Sequence, residues 1–209
     1  MRSPRQSNRG NASDLRRRIA VEAARLIAEQ GLRDYHAAKL KAAAHFGPPD
    51  SLPLPRNGEI EEALREHQRL FQADSQPRHL ARLRAAAIDA MRFFSRFEPR
   101  LVGAVLEGTA DAHSAVCLHV FTDNLVELTS FLAENGIPFE QQDRNLRLDS
   151  GRSADLPALR FLAGDTALDA TVFPLDGLRQ APLDRISERP MRRATLDALL
   201  DLAKPPSTA

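Results

Sequence analysis

The hydrophobic periodicity of this chain changes at Pro99, and that change limits the fold more than any other feature of the sequence. Before Pro99, apolar residues recur at the three- and four-residue spacing of amphipathic helices. After it, short apolar runs of strand length are separated by clusters of Gly, Asp and Ser. Helices first and strands second predict an α+β protein, with an N-terminal helical region followed by a mixed β-sheet with flanking helices.

Start and stop signals predict four helices before Pro99 and two after it. N-capping residues mark the starts of helices, and Gly or Pro marks their ends. In chain order, the first helix starts at Asp14 and stops at Gly31, the second spans 34–46, the third starts at Asn57, the fourth follows Pro77, the fifth starts at Asp123 or Asn124 and ends at Asn135-Gly136, and the last spans 193–202.

Six apolar runs after Pro99 have the length of strands, and they predict a sheet of five or six strands. These runs are LVGAVLEG (101–108), AVCLHVF (115–121), and residues 137–140, 145–148, 158–163 and 167–173. The resulting domain organisation is a disordered basic arm (1–13), a helical region (14–98), a mixed-sheet domain (99–203) and a tail (204–209).

Charge and cysteine content exclude several classes of protein. Lys and Arg total 29 against 28 Asp and Glu, so the chain lacks the basic excess of dedicated DNA-binding domains, and a nucleic-acid role would need a local patch. The single cysteine, Cys117, excludes an internal disulfide framework and cysteine-based zinc cages. No apolar run has the length of a membrane span, and no apolar signal core is present. We therefore expect a cytoplasmic protein with no membrane association.

A helix-turn-helix reader of DNA is disfavoured by prolines. The basic first helix and Gly31 are similar to the start of a tetracycline-repressor-type regulator, whose recognition helix would follow the turn at Gly47. Four prolines occupy that stretch and break any helix there, namely Pro48, Pro49, Pro53 and Pro55.

The segment LVGAVLEGTADAHSAVCLHVFTD (101–123) resembles the core motif of the polymerase-β-type nucleotidyltransferase superfamily. In that family an apolar strand ends in Gly-Ser or Gly-Thr, a loop follows, and the next strand carries two alternating aspartates that hold divalent metal ions. The resemblance implies a nucleotidyltransferase-like sheet with Gly108 and Thr109 at the nucleotide-phosphate turn. It also places Ser114 just before the second strand, as part of the nucleotide site.

The chain departs from this family at the metal-binding positions. Ala115 and Cys117 stand where the two aspartates are expected, and a second alignment by loop length puts His119 and Phe121 there. A later family carboxylate corresponds to Asp169, which the resemblance makes the surviving metal ligand and the catalytic carboxylate, with magnesium as cofactor in an active enzyme. One ligand of three makes a poor magnesium site. The chain therefore resembles a degenerate member, similar to small uncharacterised bacterial nucleotidyltransferase-like proteins that share LPRNGEIEEAL, GTADAHSAVCLHVF and the Pro-Met-Arg-Arg stretch.

Three further features have both a functional and a structural interpretation. His119 alternates with aliphatic neighbours and is either a buried, hydrogen-bonded histidine or a ligand or base in a pocket. His113, His119 and Asp169 could together hold zinc or manganese. The arginine-rich stretch that ends in Arg192 and Arg193 either binds phosphate or RNA backbone through bidentate contacts or forms a solvated loop.

Two functions from different classes follow from these features. The first is a nucleotidyltransferase-like protein that binds a nucleotide or an RNA end and lacks an intact two-metal site. The second is a non-catalytic module whose helical half binds a protein partner. The two differ in whether the sheet face bearing Cys117, His119 and Asp169 is open or is covered by helices.

Overall fold

The computed structural model describes residues 4–32, 34–71 and 75–204, and of residues 4–11 it describes the backbone only. The chain divides into two compact units: unit 1 comprises 1–75 and 185–187, and unit 2 comprises 76–184 and 188–209. None of the described helices is both long enough and apolar enough to traverse a bilayer.

Unit 1 is helical, as its periodicity predicts. Its core is rich in alanine, including Ala23, Ala38 and Ala42, and small side chains allow helices to approach closely. The Asp34 side chain accepts a hydrogen bond from the His36 backbone N–H at 2.8 Å and so caps the second helix. The elements are α1 (Pro4–Gln30), α2 (Tyr35–Ala44), a 3-10 turn (Pro49–Ser51) and α3 (Asn57–Phe71).

The first helix begins earlier than the predicted start at Asp14. It extends back to Pro4, so residues 4–13 of the predicted disordered arm are helical, and residues 1–3 lie outside the described residues. Proline is suited to the first helical turn, where its missing N–H would have no partner within the helix. The predicted stop is confirmed, because Gly31 has a φ of +65° directly after the last helical residue.

Unit 2 contains a five-stranded mixed sheet in the order β1-β2-β5-β4-β3, which confirms the α+β class. Strands β2 and β5 are parallel, and the other neighbouring pairs are antiparallel. The elements are α4 (Gln76–Phe93), a 3-10 turn (Ser95–Phe97), β1 (Arg100–Val102), α5 (Ala104–Glu107), β2 (Val116–Phe121), α6 (Leu125–Glu134), β3 (Phe139–Arg147), β4 (Ser153–Ala163), β5 (Thr166–Phe173), a 3-10 turn (Leu175–Leu178) and α7 (Leu196–Ala203).

Alternation along the strands gives the sheet two different faces. On one face, aliphatic residues such as Leu118 and Ala170 form a core with α4, α6 and α7. The structure therefore divides the chain at Ser75 and not near residue 98, because α4 buries its apolar side, including Met91 and Phe94, in this core. We call the other face the site face, and its central residues are Cys117, His119 and Phe121 on β2 and Asp169, Thr171 and Phe173 on β5.

Two strand predictions are wrong in detail. Residues 137–140 and 145–148 do not form two separate strands, because residues 139–147 pair continuously with β4 as the single strand β3. The predicted strand 101–108 ends at Val102, where Gly103 takes a φ of +72° and starts the short helix α5. A hydrophobic run of this length is compatible with either structure, and the turn at Gly103 decides between them.

Replacing Gly103 with alanine is expected to lower the free energy of unfolding by about 1–3 kcal/mol, because a side chain at φ +72° is strained. A Cβ there would lie 3.7 Å from the Cys117 Cβ, an ordinary contact, so the cost is one of backbone strain. Urea unfolding measures the change. Gly58→Ala is the control, since nothing lies near that position in α3 and alanine favours helix. Equal stability of the Gly103→Ala variant and the wild type would contradict this assignment.

Candidate functional site

The centre of the site face is formed by two adjacent parallel strands. Cys117 pairs in register with Asp169, and His119 pairs with Thr171. Neighbouring strands are about 4.8 Å apart, so these four side chains form a compact polar group. His119, Asp169 and Thr171 are all buried.

Asp169 forms an ion pair with Arg144, which comes from β3 on the far side of β4. The Arg144 Nη2 donates to Asp169 Oδ2 at 2.6 Å, and its Nη1 donates to Thr171 Oγ1 at 2.9 Å. Ala158 on β4 pairs in register with Thr171 and carries only a methyl group, which leaves room for the arginine to cross β4. Since the Asp169 side chain is only 10% exposed, this pair neutralises a buried carboxylate.

A second arginine, Arg160, lies near the same carboxylate and has hydrogen-bond donors available. The Arg160 Nε lies 4.0 Å from Asp169 Oδ2, and the Arg160 side chain is 47% exposed. The other oxygen, Asp169 Oδ1, is buried and has no hydrogen-bond partner among the described residues. The Asp169 carboxylate therefore lies next to two guanidinium groups, those of Arg144 and Arg160.

Arg193 and His119 form the other end of this polar group. The Arg193 Nε donates to His119 Nδ1 at 3.0 Å, and Arg193 Nη1 donates to the Gly177 carbonyl at 2.6 Å. The guanidinium carbon lies 5.0 Å and 4.8 Å from the ring centres of Phe121 and Phe173. Arg193 Nη2 is buried and has no hydrogen-bond partner among the described residues.

His119 is neutral in the folded protein. Burial, followed by the charges of Arg193 and Arg144, lowers the pKa of His119 to about 3. The hydrogen bond agrees with this, because Nδ1 accepts from Arg193 and the ring proton must then reside on Nε2. Burial and Arg100 lower the pKa of Arg193 to about 10, which leaves the guanidinium charged near neutral pH.

Positive charge exceeds negative charge on this face. Arg144 and Arg160 lie beside Asp169, Arg193 lies beside His119, and Glu140 lies opposite Arg160 in the β3–β4 register. Arg100 pairs in register with His119 and forms an ion pair with Glu98, so four guanidinium groups stand against three carboxylates, and the face is suited to an anion.

The structure connects some of the predicted site residues and gives others separate roles. Asp169, His119 and Arg193 belong to the polar group on the site face. Gly108 and Thr109 do not end a strand, because Gly108 follows α5 with a φ of +81° and its carbonyl accepts from Gln76. Ser114 donates to Asp111 Oδ1 at 3.0 Å in a tight turn, and Arg192 forms an ion pair with Glu107 at 3.1 Å.

Sequence reasoning missed Arg144 and Arg160. Arg160 had a signal, since it is a charged residue between the apolar Leu159 and Phe161 of a predicted strand. Arg144 had none, because its contact with Asp169 depends on the order and register of β3, β4 and β5.

The residues of this face do not fit the magnesium site that the family resemblance implies. Cys117, in place of a carboxylate, lies beside Asp169, and Asp169 Oδ2 already accepts from Arg144. In the described part of the chain, no group of three or more His, Cys, Asp or Glu side chains could hold a metal ion. The predicted zinc or manganese set of His113, His119 and Asp169 is among the groups that this result excludes, and His119 Nδ1 already accepts from Arg193.

No protein-family model, curated protein or solved structure matches the chain. The nucleotidyltransferase resemblance is therefore a prediction from the motif at 101–123. The candidate site stands on its own geometry.

Proposed function

We propose that unit 2 is a nucleotidyltransferase-like domain that binds the phosphate of a nucleotide or an RNA end without a metal ion and does not transfer nucleotides. The observation that carries the proposal is the ion pair between Arg144 and Asp169 on the site face. In a two-metal enzyme, carboxylates at this place would hold cations that neutralise the triphosphate. Here guanidinium groups supply the positive charge themselves.

The arginines of this face have hydrogen-bond donors available for such a ligand. Arg160 is half exposed, and its Nε lies 4.0 Å from the Asp169 carboxylate. Guanidinium groups donate in a planar fork that matches the oxygens of a phosphate, and they hold their charge at any physiological pH. A phosphate beside Arg160 would also balance the positive excess of the face.

The alternative function, protein binding by the helical half, predicts a site face covered by helices. In the described part of unit 2, α4, α6 and α7 pack on the opposite face of the sheet. Residues of the site face contact the 3-10 turn at 175–178 and Arg193 instead. The described helices of unit 2 therefore do not give the cover that the alternative predicts. His119, Asp169 and Thr171 are nonetheless buried, so a ligand would meet this face at Arg160, which is 47% exposed.

Titration calorimetry with ATP tests the proposal in buffer containing EDTA and again with magnesium. We expect dissociation constants of about 10–100 μM in both buffers, because Arg160 and its neighbours contact the phosphates directly. Arg160→Gln should weaken binding about tenfold, through loss of a charge-assisted bond.

Arg82→Gln is the matched control, because Arg82 is exposed on α4, which packs on the opposite side of the sheet. It should bind ATP as the wild type does. Binding that requires magnesium, or that is weakened equally by the two substitutions, would contradict the proposed site.

A further inference from the structure

We propose that the site face recognises the phosphate chain of its ligand and does not discriminate between bases. This inference rests on the proposed function and deepens it, since it names the part of the ligand that is read. It follows from the contacts that the aromatic rings and polar groups of this face make within the protein.

The two aromatic rings of the site face are not available to stack on a base. Phe121 and Phe173 are 1% and 2% exposed, and the Arg193 guanidinium lies over both rings. Stacking on exposed aromatic side chains is the usual way in which proteins bind bases of single strands or nucleotides. On this face the Arg193 guanidinium occupies the position over the rings that a base would take.

The remaining phenylalanines of unit 2 lie elsewhere. They belong to the core between the sheet and the helices, on the opposite face of the sheet. These residues are Phe93, Phe94, Phe97, Phe131, Phe139 and Phe161. The described part of unit 2 therefore presents its rings to protein side chains on both faces.

Most of the charged groups of the face are hydrogen-bond donors. Arg144, Arg160 and Arg193 can only donate hydrogen bonds. Among the acceptors beside them, Thr171 Oγ1 and Asp169 Oδ2 accept from Arg144 and Asp169 Oδ1 is buried, and the exposed acceptors are those of Glu140 and Gln142 on β3. A phosphate chain presents acceptors alone, which match these donors, whereas among the base edges only that of guanine offers two adjacent acceptors to one arginine. The face therefore matches the phosphate chain.

Competition titrations in EDTA with the full chain test the inference. The probes are ATP, GTP, CTP and UTP, inorganic tripolyphosphate, and adenosine. We expect the four nucleotides and tripolyphosphate to bind with dissociation constants within about threefold of each other, and adenosine to show no binding. Arg160→Gln should weaken all five phosphate ligands by the same factor, and Arg82→Gln should weaken none.

Each other outcome identifies which statement fails. A nucleotide that binds more than about tenfold tighter than tripolyphosphate, or a preference of that size for one base, would overturn the inference and leave phosphate binding intact. A preference for GTP would mean that the arginines read a guanine edge. No binding of any phosphate ligand would overturn the proposed function itself.

Discussion

Replacing Arg144 with glutamine is expected to lower the free energy of unfolding by about 3 kcal/mol, because it leaves the Asp169 carboxylate buried without its partner. The expected loss lies at the low end for a broken buried pair, since Arg144 is 28% exposed and Arg160 stands 4.0 Å from the same carboxylate. Urea unfolding near neutral pH measures the loss.

A double-mutant cycle separates the ion pair from general damage to the fold. Combining Arg144→Gln with Asp169→Asn removes both charges, so the double variant should be more stable than Arg144→Gln alone by about 1–2 kcal/mol. Arg152→Gln is the matched control, because it breaks an exposed pair with Asp149 and should cost less than about 1 kcal/mol. If Arg144→Gln costs no more than Arg152→Gln, the ion pair does not neutralise a buried charge.

Acidification is expected to destabilise the protein through His119. The pKa of His119 is about 3 in the folded protein and about 6.5 in the unfolded chain, so between these values the unfolded chain binds more protons. Stability from this residue is fully present above pH 6.5 and is lost as the pH falls from there toward 3. The loss amounts to as much as about 1.4 kcal/mol per pH unit, or about 2 kcal/mol at pH 5.

His119→Gln isolates this contribution, because glutamine can accept the Arg193 hydrogen bond through its side-chain oxygen and does not titrate. The difference in unfolding free energy between wild type and variant should therefore shrink by about 2 kcal/mol between pH 7.5 and pH 5. Carboxylates titrate in both proteins and cancel in the comparison. His36→Gln, at an exposed position of α2, should follow the wild-type curve. Parallel curves for the wild type and His119→Gln would show that His119 is not held neutral.

Local sequence signals were sufficient for most of the elements but not for their partners. Asp34 caps α2 as predicted, and the ends of α2 lie within about two residues of the prediction, since these signals act within a helical turn. The start of α3 at Asn57 is also as predicted, but the Asn57 Oδ1 accepts from Lys39 Nζ and does not cap the helix. The amphipathic pattern of α4 shows that one side is buried but not against what, so the division at Ser75 could not be derived from it. The short β1 was overextended because an apolar run does not reveal the positive φ of Gly103.

The site was predicted only in part, because local sequence signals do not show which strands become neighbours. Alternation on β2 placed His119 on the strand face opposite the aliphatic residues, the family resemblance singled out Asp169, and the structure pairs the two strands in register. The role of Asp169 differs from the prediction, because Arg144 reaches it across β4 and takes the place of a cation. That contact joins residues 25 positions apart and depends on a sheet order that no local pattern encodes.

The central claim is that arginines of the site face bind phosphate without a metal ion. Correlation spectra of the arginine Nε–H groups, recorded while ATP is added in EDTA, test this claim most directly. Signals are assigned by comparison with single arginine-to-lysine variants. We predict saturable shifts for Arg160 and Arg193 and none for Arg82. Binding of ATP that leaves the Arg160 and Arg193 signals unchanged, or shifts that appear only after magnesium is added, would contradict the account.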